Sequence, residues 1–204
     1  LLDLGANVDT TAEQLVQFAL MGSLAQELAG QQRPRVALLN VGIESIKGSQ
    51  QVRQAAASLE QIDSIHYTGF IEADAVFANG ADVVVCDGFV GNVLLKGAEG
   101  IARLMAGQLR EEAQRTVWRK LLVALNCGLW RGLAKRWSPD RYNGAVLLGV
   151  QGLVVKSHGA AGERAFLAAR EQAAQIAAED LPARLAERLG KLQNSVLPSS
   201  WCDS

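Results

Sequence analysis

Short apolar runs alternate with segments of helical periodicity along most of the chain. The central run, Asp82–Asp87, is apolar on both faces, as the inner strands of a parallel sheet are. This alternation is typical of βαβ units and predicts an α/β fold with a mostly parallel sheet flanked by helices. The predicted strands are 1–4, 35–40, 64–68, 82–87, 145–150 and 152–156, the last two joined by a tight hairpin turn at Gln151–Gly152.

The helical segments fill the connections between these strands. A helix over 11–29 follows the first strand, with Asp9 or Thr10 as its predicted N-cap. A long helix is expected to begin after the Gly88–Asn92 turn. The other predicted helices are a short one within 69–78 and longer ones at 50–59, 162–178 and 181–190, and about 108–140 form a helical arm or hairpin.

Composition narrows the classes of protein to which the chain can belong. Its 204 residues are 49% hydrophobic and 20% charged, so it can bury a real core. Twenty basic residues against 21 acidic ones leave a formal net charge of -1, which argues against nucleic-acid binding through a positive field. Three cysteines do not suggest a disulfide framework and favour a reducing, cytoplasmic compartment. Neither a membrane span nor a signal peptide is expected.

Four loops at the predicted carboxyl edge of the sheet carry residues suited to chemistry. In open α/β sheets ligands bind at this edge, and glycine loops that open helices suit phosphate. Each loop alone resembles an ordinary βα turn, whereas four at one edge favour a binding site. Lys47 can supply a full positive charge. The four loops are Asp3–Asn7, Asn40–Gly48, Asp87–Asn92 and Lys156–Gly159.

The sequence lacks the motifs of several common mechanisms. Neither the Walker pattern, the dinucleotide fingerprint nor the G-x-S-x-G elbow is present. Cys86 lies inside a predicted strand, where a free cysteine most often packs as a small hydrophobic residue. Of the two histidines, His158 is a better candidate for a functional role than His66. The sequence therefore favours neither a covalent nucleophile, nor a metal site, nor a nucleotide cofactor.

Five motifs, taken in order, resemble the PlsX family of phosphate acyltransferases of bacterial phospholipid synthesis. They are Leu2–Asn7, Leu39–Gly42 with Lys47–Gly48, Gly69–Ala73, Asp82–Asn92 and Lys156–Gly159, and the match runs from residue 1 to about 170. The resemblance implies a phosphotransacetylase-like or isopropylmalate-dehydrogenase-like α/β fold with a protruding helical arm, and no metal or organic cofactor. Family members are considerably longer on the N-terminal side, so residues 1–204 look like the C-terminal part of one α/β acyltransferase domain.

The resemblance also implies a reaction, in which acyl-[acyl carrier protein] and inorganic phosphate give acyl phosphate and free carrier protein. A membrane glycerol-3-phosphate acyltransferase would then consume the acyl phosphate. Such a transfer needs positioning and charge stabilisation rather than a covalent relay. Lys47 is expected to hold the phosphate, and Asn92 to donate a hydrogen bond to the thioester oxygen. The residues expected to line the phosphate and carrier-arm pocket are Asn7, Gly42, Gly88, Gly91 and His158.

A basic, tryptophan-bearing stretch interrupts the α/β pattern. Between Ala113 and Pro139 it holds six cationic residues and no acidic one. Trp118, Leu122 and Leu125 share a helical face, and Trp130 lies at its edge. Such a stretch suits a membrane interface, and a dimer-interface helix pair is the alternative. Both can hold, since the resemblance implies homodimers that associate peripherally with the inner membrane surface.

Three other functions remain open at this stage. A phosphate acetyl- or butyryltransferase on the same fold would use coenzyme A. The thioester donor distinguishes it from the transferase that uses acyl-[acyl carrier protein]. A dehydrogenase with a similar core is disfavoured because the chain has no recognisable nucleotide fingerprint. A catalytically silent, membrane-binding or dimerisation module is the alternative outside the enzymes.

Overall fold

A computed structural model describes residues 1–126, 128, 132, 144–157 and 162–196 of the chain. Its strands are β1 (Arg35–Leu39), β2 (His66–Ile71), β3 (Val83–Val85), β4 (Ala145–Val146) and β5 (Val155–Lys156). Its helices are α1 (Ala12–Leu28), α2 (Gln50–Leu59), α3 (Ala73–Val76), α4 (Gly88–Gln114), α5 (Val117–Leu125), α6 (Glu163–Ala178) and α7 (Leu181–Val196).

The described residues divide into two compact units. The first contains Leu1–Leu94, Leu148–Gly152 and the described residues from Asp180 onward. The second contains the described residues of Leu95–Leu147 and of Leu153–Glu179. The division falls within α4, so the first turns of this helix belong to the first unit.

A parallel sheet with strand order β2-β1-β3 forms the centre of the first unit. Val36 in β1 is opposite Tyr67 on one side and Val83 on the other. Because β1 and β3 are close in space but separated by β2 in sequence, the chain makes crossover connections, as the sequence pattern predicts. The predicted α/β fold with a parallel sheet flanked by helices is confirmed.

The predicted first strand, 1–4, is shorter than expected. It contributes an isolated parallel bridge from Leu2 to the edge of β3. The backbone N–H groups of Leu2 and Asp3 donate to the carbonyl oxygens of Val84 and Cys86 at 2.9 and 3.0 Å. The pairing ends there because the side chain of Asp3 draws the following N–H groups around itself.

Apolar side chains cover both faces of the sheet. Alternate residues of β1 and β3 pack against α1 and α2 on one face, and this core includes Leu15, Val16, Leu20, Val36, Leu38, Leu59 and Val85. On the other face Val84 and Cys86 pack with Ala37, Leu39 and Ile71. All of β3 is buried, which confirms the prediction that this strand is apolar on both faces.

The N-cap of α1 is Thr11, and the prediction of Asp9 or Thr10 is wrong. Thr11 Oγ1 accepts a hydrogen bond from the Gln14 N–H at 3.3 Å, and Gln14 Oε1 accepts one from the Thr11 N–H at 3.0 Å. This reciprocal pair is a capping box. It fixes the start of the helix because it satisfies two backbone N–H groups at once.

An ion pair ties β1 to β3 at the amino-terminal edge of the sheet. Asp82, immediately before β3, accepts hydrogen bonds from the Arg35 backbone N–H at 2.8 Å and from the Arg35 guanidinium at 3.0 Å. These hydrogen bonds hold the pKa of Asp82 well below its usual range. The pair lies at the end of the strands opposite the loops of the candidate site.

The second unit contains a short antiparallel hairpin of β4 and β5. A hydrogen bond of 2.9 Å from the Leu147 N–H to the Val154 carbonyl extends the pairing. The predicted hairpin is confirmed, with Gln151–Gly152 in its loop, but this loop is longer than the tight turn that the sequence predicts. The chain leaves the extended conformation earlier, at Gly149, where φ is +83°.

The beginning of the predicted helical arm is formed by the end of α4 and by α5. The hydroxyl of Thr116, between the two helices, accepts a hydrogen bond from the Arg119 N–H at 3.3 Å. Glu112 in α4 forms ion pairs with Arg115, at 2.9 Å, and with Arg119. Two of the six cations counted between Ala113 and Pro139 are therefore paired with a carboxylate just before that stretch. In the described part of the chain, no helix combines the length and apolar character needed to cross a bilayer.

Candidate functional site

Three of the four predicted loops meet at the carboxyl edge of the parallel sheet. The Lys47 loop (Asn40–Gly48) follows β1, the α4 start (Asp87–Asn92) follows β3, and the Asp3 loop (Asp3–Asn7) follows the bridge to β3. Neighbouring parallel strands bring these loops to one edge. The loop Lys156–Gly159 follows β5 in the separate antiparallel sheet. The prediction that this loop follows a strand of the parallel sheet is therefore wrong, because β5 pairs with β4, and its place beside the other three loops stays a prediction.

The Asp3 loop is wrapped around a buried carboxylate. Asp3 is 7% exposed. Its Oδ1 accepts the N–H groups of Gly5 and Ala6, both at 2.9 Å, and its Oδ2 accepts the backbone N–H of Asn7 at 2.7 Å and the Asn7 side-chain Nδ2 at 3.0 Å. Burial alone would raise the pKa of Asp3, but the hydrogen bonds from Ala6, Asn7 and Gly5 lower it below the usual value. The carboxylate is therefore charged at neutral pH.

Glycines allow the Asp3 loop to pack directly on the α4 start. The Gly88 N–H donates to the Asn7 carbonyl at 2.8 Å. A Cβ on Gly88 would lie 2.6 Å from this oxygen, and one on Gly91 would overlap the backbone oxygen of Asp3. Close backbone contact thus accounts for glycine at both positions.

The same contact brings Asn92 beside the Asp3 loop. A Cβ built on Gly5, where φ is +116°, would lie 3.5 Å from the Asn92 Cβ. Asn92 is an exposed residue in the second turn of α4. The predicted residues Asn7, Gly88, Gly91 and Asn92 are therefore brought together at one junction.

Several backbone N–H groups at this junction have protein partners. Those of Gly5, Ala6 and Asn7 bind Asp3, and the Val90 N–H donates to Asp87 Oδ1 at 2.7 Å. The glycine-loop argument of the sequence expected such groups to face an anion. An anion at this junction would instead meet side chains, above all the amides of the two asparagines.

The Lys47 loop is closed by Asn40, the residue after β1. Asn40 Nδ2 donates to the Lys47 carbonyl at 3.1 Å, and Asn40 Oδ1 accepts the Val41 N–H at 2.9 Å. At Gly48, φ is +94°, and a Cβ there would overlap Asn40 Oδ1. Asn40 and Gly48 thus fix the backbone that carries Lys47.

The ammonium group of Lys47 is paired within its own loop. Its Nζ lies 2.9 Å from Glu44 Oε1, and the two side chains are 47% and 55% exposed. The hydrogen bond from Lys47 lowers the pKa of Glu44. A Cβ on Gly42 would lie 2.6 Å from Glu44 Oε2, so Gly42 makes room for this pair. The predicted residues Gly42 and Lys47 form a second cluster, in the loop that follows β1, the strand next to β3.

Three carboxylate and amide side chains that organise these loops were missed by reasoning from the sequence. They are Asp3, Asn40 and Glu44. A signal was present for the first two, because Asp and Asn side chains at the start of a glycine-containing turn commonly bind the N–H groups that follow. Glu44 and Lys47 are three residues apart, a spacing that indicates a pair only once the local turn is known.

Cys86 is 3% exposed and packs in the core behind the junction. Burial raises the pKa of its thiol to about 12, and its Sγ lies 3.6 Å from the Asp3 carbonyl oxygen. A thiol held in its neutral form is a poor nucleophile. The interpretation of Cys86 as a packing residue is confirmed. Among the residues described, no group of His, Cys, Asp and Glu side chains is arranged to hold a metal.

The Lys47 loop itself carries three exposed apolar side chains. Val41, Ile43 and Ile46 are at least 70% exposed. Ile43 also lines an open depression of about 300 Å³, whose walls hold apolar residues and two carboxylates. The lining includes Ile43, Phe70, Ile71, Ala75, Glu72 and Asp74.

The predicted membrane residues lie on or beyond α5. Trp118 and Leu125 are exposed, at 76% and 73%, and Leu122 lies within the same helix. Trp130 lies outside the described residues, as does the pocket residue His158. The site roles given to both stay predictions.

The fold and these loops define an α/β protein with a candidate binding site at the carboxyl edge of a parallel sheet. This edge carries the ammonium group of Lys47, the amides of Asn7 and Asn92, and several exposed apolar side chains. The sequence model of the family described as fatty acid synthesis protein matches residues 1–184. The chain belongs to this family.

Individual relatives carry a more specific name. The chain is 54% identical to a phosphate acyltransferase of Stutzerimonas stutzeri over 94% of its length and 54% of the relative's. It is 52% identical to a phosphate acyltransferase of Pseudomonas fluorescens and 51% identical to one of Pseudomonas aeruginosa, each over 94% of the chain and 57% of the relative. The chain thus spans little more than half the length of these relatives.

Proposed function

We propose that the protein containing this chain is a phosphate acyltransferase that transfers an acyl group from acyl-[acyl carrier protein] to inorganic phosphate. The observation that carries the proposal is the 54% identity, over 94% of the chain, to a protein of that name. The chain would form the C-terminal part of the acyltransferase domain. The acyl phosphate would pass to a membrane glycerol-3-phosphate acyltransferase for phospholipid synthesis.

The proposed chemistry needs no group beyond the two substrates. An oxygen of hydrogen phosphate attacks the thioester carbonyl carbon and forms the new C–O bond. The C–S bond then breaks, and the proton lost from phosphate ends on the carrier thiol. Because phosphate is already a nucleophile and a thiolate leaves readily, binding and charge stabilisation supply the catalysis.

Lys47 and Asn92 are the residues to which this proposal assigns the chemistry. The Lys47 ammonium is half exposed and held near the loop backbone by Glu44, so phosphate can reach it by exchanging with that carboxylate. Asn92 lies at the beginning of α4, where the helix dipole also favours negative charge. Its amide would donate to the carbonyl oxygen as that oxygen becomes an oxyanion. Asn7, Gly42, Gly88, Gly91 and His158 are proposed to line the pocket.

The apolar surface around Lys47 supports an acyl substrate. Val41, Ile43 and Ile46 are exposed in the same loop as Lys47, and Ile43 also lines the depression together with Phe70. A phosphate-binding cation next to apolar side chains fits a thioester whose reacting carbonyl carries a hydrocarbon chain. The coenzyme A-dependent phosphate acetyl- or butyryltransferase is the second candidate, because a short acyl chain meets the same groups.

Release of free thiol tests the proposal. The protein expressed from its complete reading frame is mixed with an acyl-carrier protein thioester, and thiol is measured with and without inorganic phosphate. We expect release that requires phosphate and yields acyl phosphate. The Stutzerimonas stutzeri relative serves as the positive control, and acyl-coenzyme A replaces the carrier protein in a parallel reaction. No phosphate-dependent release from either donor would contradict the enzyme proposal, and release from coenzyme A alone would favour the second candidate.

A peripheral membrane contact through α5 is also proposed, in a cytoplasmic protein that docks on the inner membrane surface. Val117, Trp118 and Leu125 are all more than 70% exposed on this helix. Lys120 supplies a cation beside them, whereas Arg115 and Arg119 are paired with Glu112. The same apolar face would serve a homodimer, so contact with lipid and with a second subunit are compatible.

Leu125→Glu is expected to weaken binding to anionic vesicles by about tenfold, since it places a charge where an apolar side chain would enter the headgroup boundary. Co-sedimentation with phosphatidylglycerol vesicles measures the effect. Phe166→Glu on α6 is the matched control, because Phe166 is also exposed, at 60%, and the substitution adds the same charge. Equal loss of binding in both variants, or equal recovery of wild-type protein with and without vesicles, would contradict a contact through α5.

A further inference from the structure

Asp3 is a buried, charged residue at the candidate site that the proposed chemistry does not use. Its two carboxylate oxygens accept four hydrogen bonds within the Asp3 loop. Burial of a carboxylate is unfavourable unless hydrogen bonds compensate for the lost water. A fully compensated carboxylate at 7% exposure therefore indicates that the geometry of the loop depends on this side chain.

Asn7 takes part in two of these four hydrogen bonds. Its backbone N–H and its side-chain Nδ2 both donate to Asp3 Oδ2, at 2.7 and 3.0 Å. Its carbonyl oxygen accepts the Gly88 N–H at 2.8 Å. A single carboxylate oxygen of Asp3 thus binds both the side-chain amide and the backbone N–H of Asn7, the residue whose carbonyl holds the loop against the α4 start.

The other face of Asp3 reaches the helix that carries Asn92. The backbone oxygen of Asp3 packs so closely on Gly91 that a Cβ there would overlap it. The Asp3 N–H donates to the Cys86 carbonyl at 3.0 Å, just before α4 begins. Asp3 therefore contacts both sides of the junction at which the amides of Asn7 and Asn92 come together.

We infer that Asp3 is a positioning residue, whose carboxylate orients the Asn7 amide and holds the Asp3 loop against the start of α4, so that Asn7 and Asn92 share one binding geometry. The inference rests on the proposed function for its consequence in catalysis. Asp3 does not touch substrate in this arrangement. It acts through Asn7, because its carboxylate charge is compensated by hydrogen bonds within the loop.

Asp3→Asn is the sharpest substitution, because it keeps the shape of the side chain and removes one acceptor oxygen. The new amide group must face N–H donors, either those of Gly5 and Ala6 or those of Asn7. In a protein that forms acyl phosphate, kcat/KM is expected to fall about tenfold, as small misplacements of a binding group do. In an Asn7→Ala background the same substitution is expected to change kcat/KM by less than about twofold, because the two residues act as a unit.

Asp82→Asn is the control for a purely structural effect. It also removes a carboxylate oxygen that accepts hydrogen bonds, but at the opposite edge of the sheet, where the partner is Arg35. Rates are normalised to the folded fraction measured by circular dichroism. Wild-type kcat/KM in Asp3→Asn would overturn the inference. A tenfold loss that persists in the Asn7→Ala background, or that Asp82→Asn reproduces, would overturn it as well.

A second readout does not depend on activity. Amide hydrogen exchange at Asn7 and Gly88 is expected to accelerate at least about tenfold in Asp3→Asn, while that at Leu20 in α1 stays unchanged. If the wild-type protein forms no acyl phosphate, the proposed function fails and exchange alone decides the inference. Unchanged exchange at Gly88 would then overturn the positioning role, and accelerated exchange confined to the junction would support it.

Discussion

Replacing Lys47 with alanine is expected to lower kcat/KM for acyl phosphate formation by about 10²-fold to 10³-fold, as loss of a group that stabilises developing charge does. The loss should include a higher KM for phosphate, because the ammonium is the cation proposed to hold it. Lys47 is half exposed and its ion pair with Glu44 lies at the surface, so the fold should be little affected. Initial rates of thiol release at varied phosphate concentration measure both parameters.

Arg188→Ala is the matched control for loss of a cation from an exposed pair. Arg188 lies 2.7 Å from Glu27 and is 48% exposed, against 47% for Lys47. It is expected to keep wild-type kinetics. Asn92→Ala should instead lower kcat with little change in the KM for phosphate, since its hydrogen bond is made to the oxyanion. Near-wild-type turnover in Lys47→Ala would reject its role, and equal losses in Arg188→Ala would show that the assay reports stability.

Gly91→Ala is expected to destabilise the first unit by about 3 kcal/mol, the upper range for overpacking a rigid interior. A Cβ at this position would overlap the backbone oxygen of Asp3. A backbone atom cannot rotate away as a side chain can, so the Asp3 loop must move off α4. Urea unfolding followed by circular dichroism gives the free energy, and amide exchange in β3 assigns the loss to the first unit.

Gly97→Ala tests the same substitution six residues further along α4, where, among the described residues and apart from the adjoining helix backbone, no atom lies within 4 Å of a new Cβ. Gly97→Ala is expected to stabilise α4 by up to about 1 kcal/mol, the difference in helix propensity between the two residues. Opposite signs for the two variants would support the packing of the Asp3 loop on α4. Similar effects on unfolding would mean that this packing is absent in solution.

Hydrophobic pattern was sufficient to predict the sheet. Val83 to Val85 form an uninterrupted apolar run, which is the pattern typical of a strand buried on both faces. The structural role of the glycines at the α4 start could also be predicted, because a glycine after a strand commonly marks a close approach of two backbone segments. The pattern could not give the extent of β4 and β5, since short strands depend on local φ values such as that of Gly149.

Side-chain to backbone hydrogen bonds explain most of what the sequence did not predict. Thr11 starts α1 because of its exchange with Gln14, and Asp3 ends the first strand because it binds the N–H groups that follow. The sequence placed Asp3 and Asn40 in candidate loops without a role. Their roles depend on which N–H groups the turn brings within reach, and periodicity carries no information on that.

The junction between the Asp3 loop and α4 also bears on how the protein folds. Its contacts join residues 83 positions apart, as between Asp3 and Cys86, so forming them closes a long loop and carries the entropy of that closure. Contacts of such high sequence separation slow folding. The helices and the pairing of β1 with β2 involve nearer partners and are expected to form earlier. The junction would then become ordered later than these helices and this pair of strands.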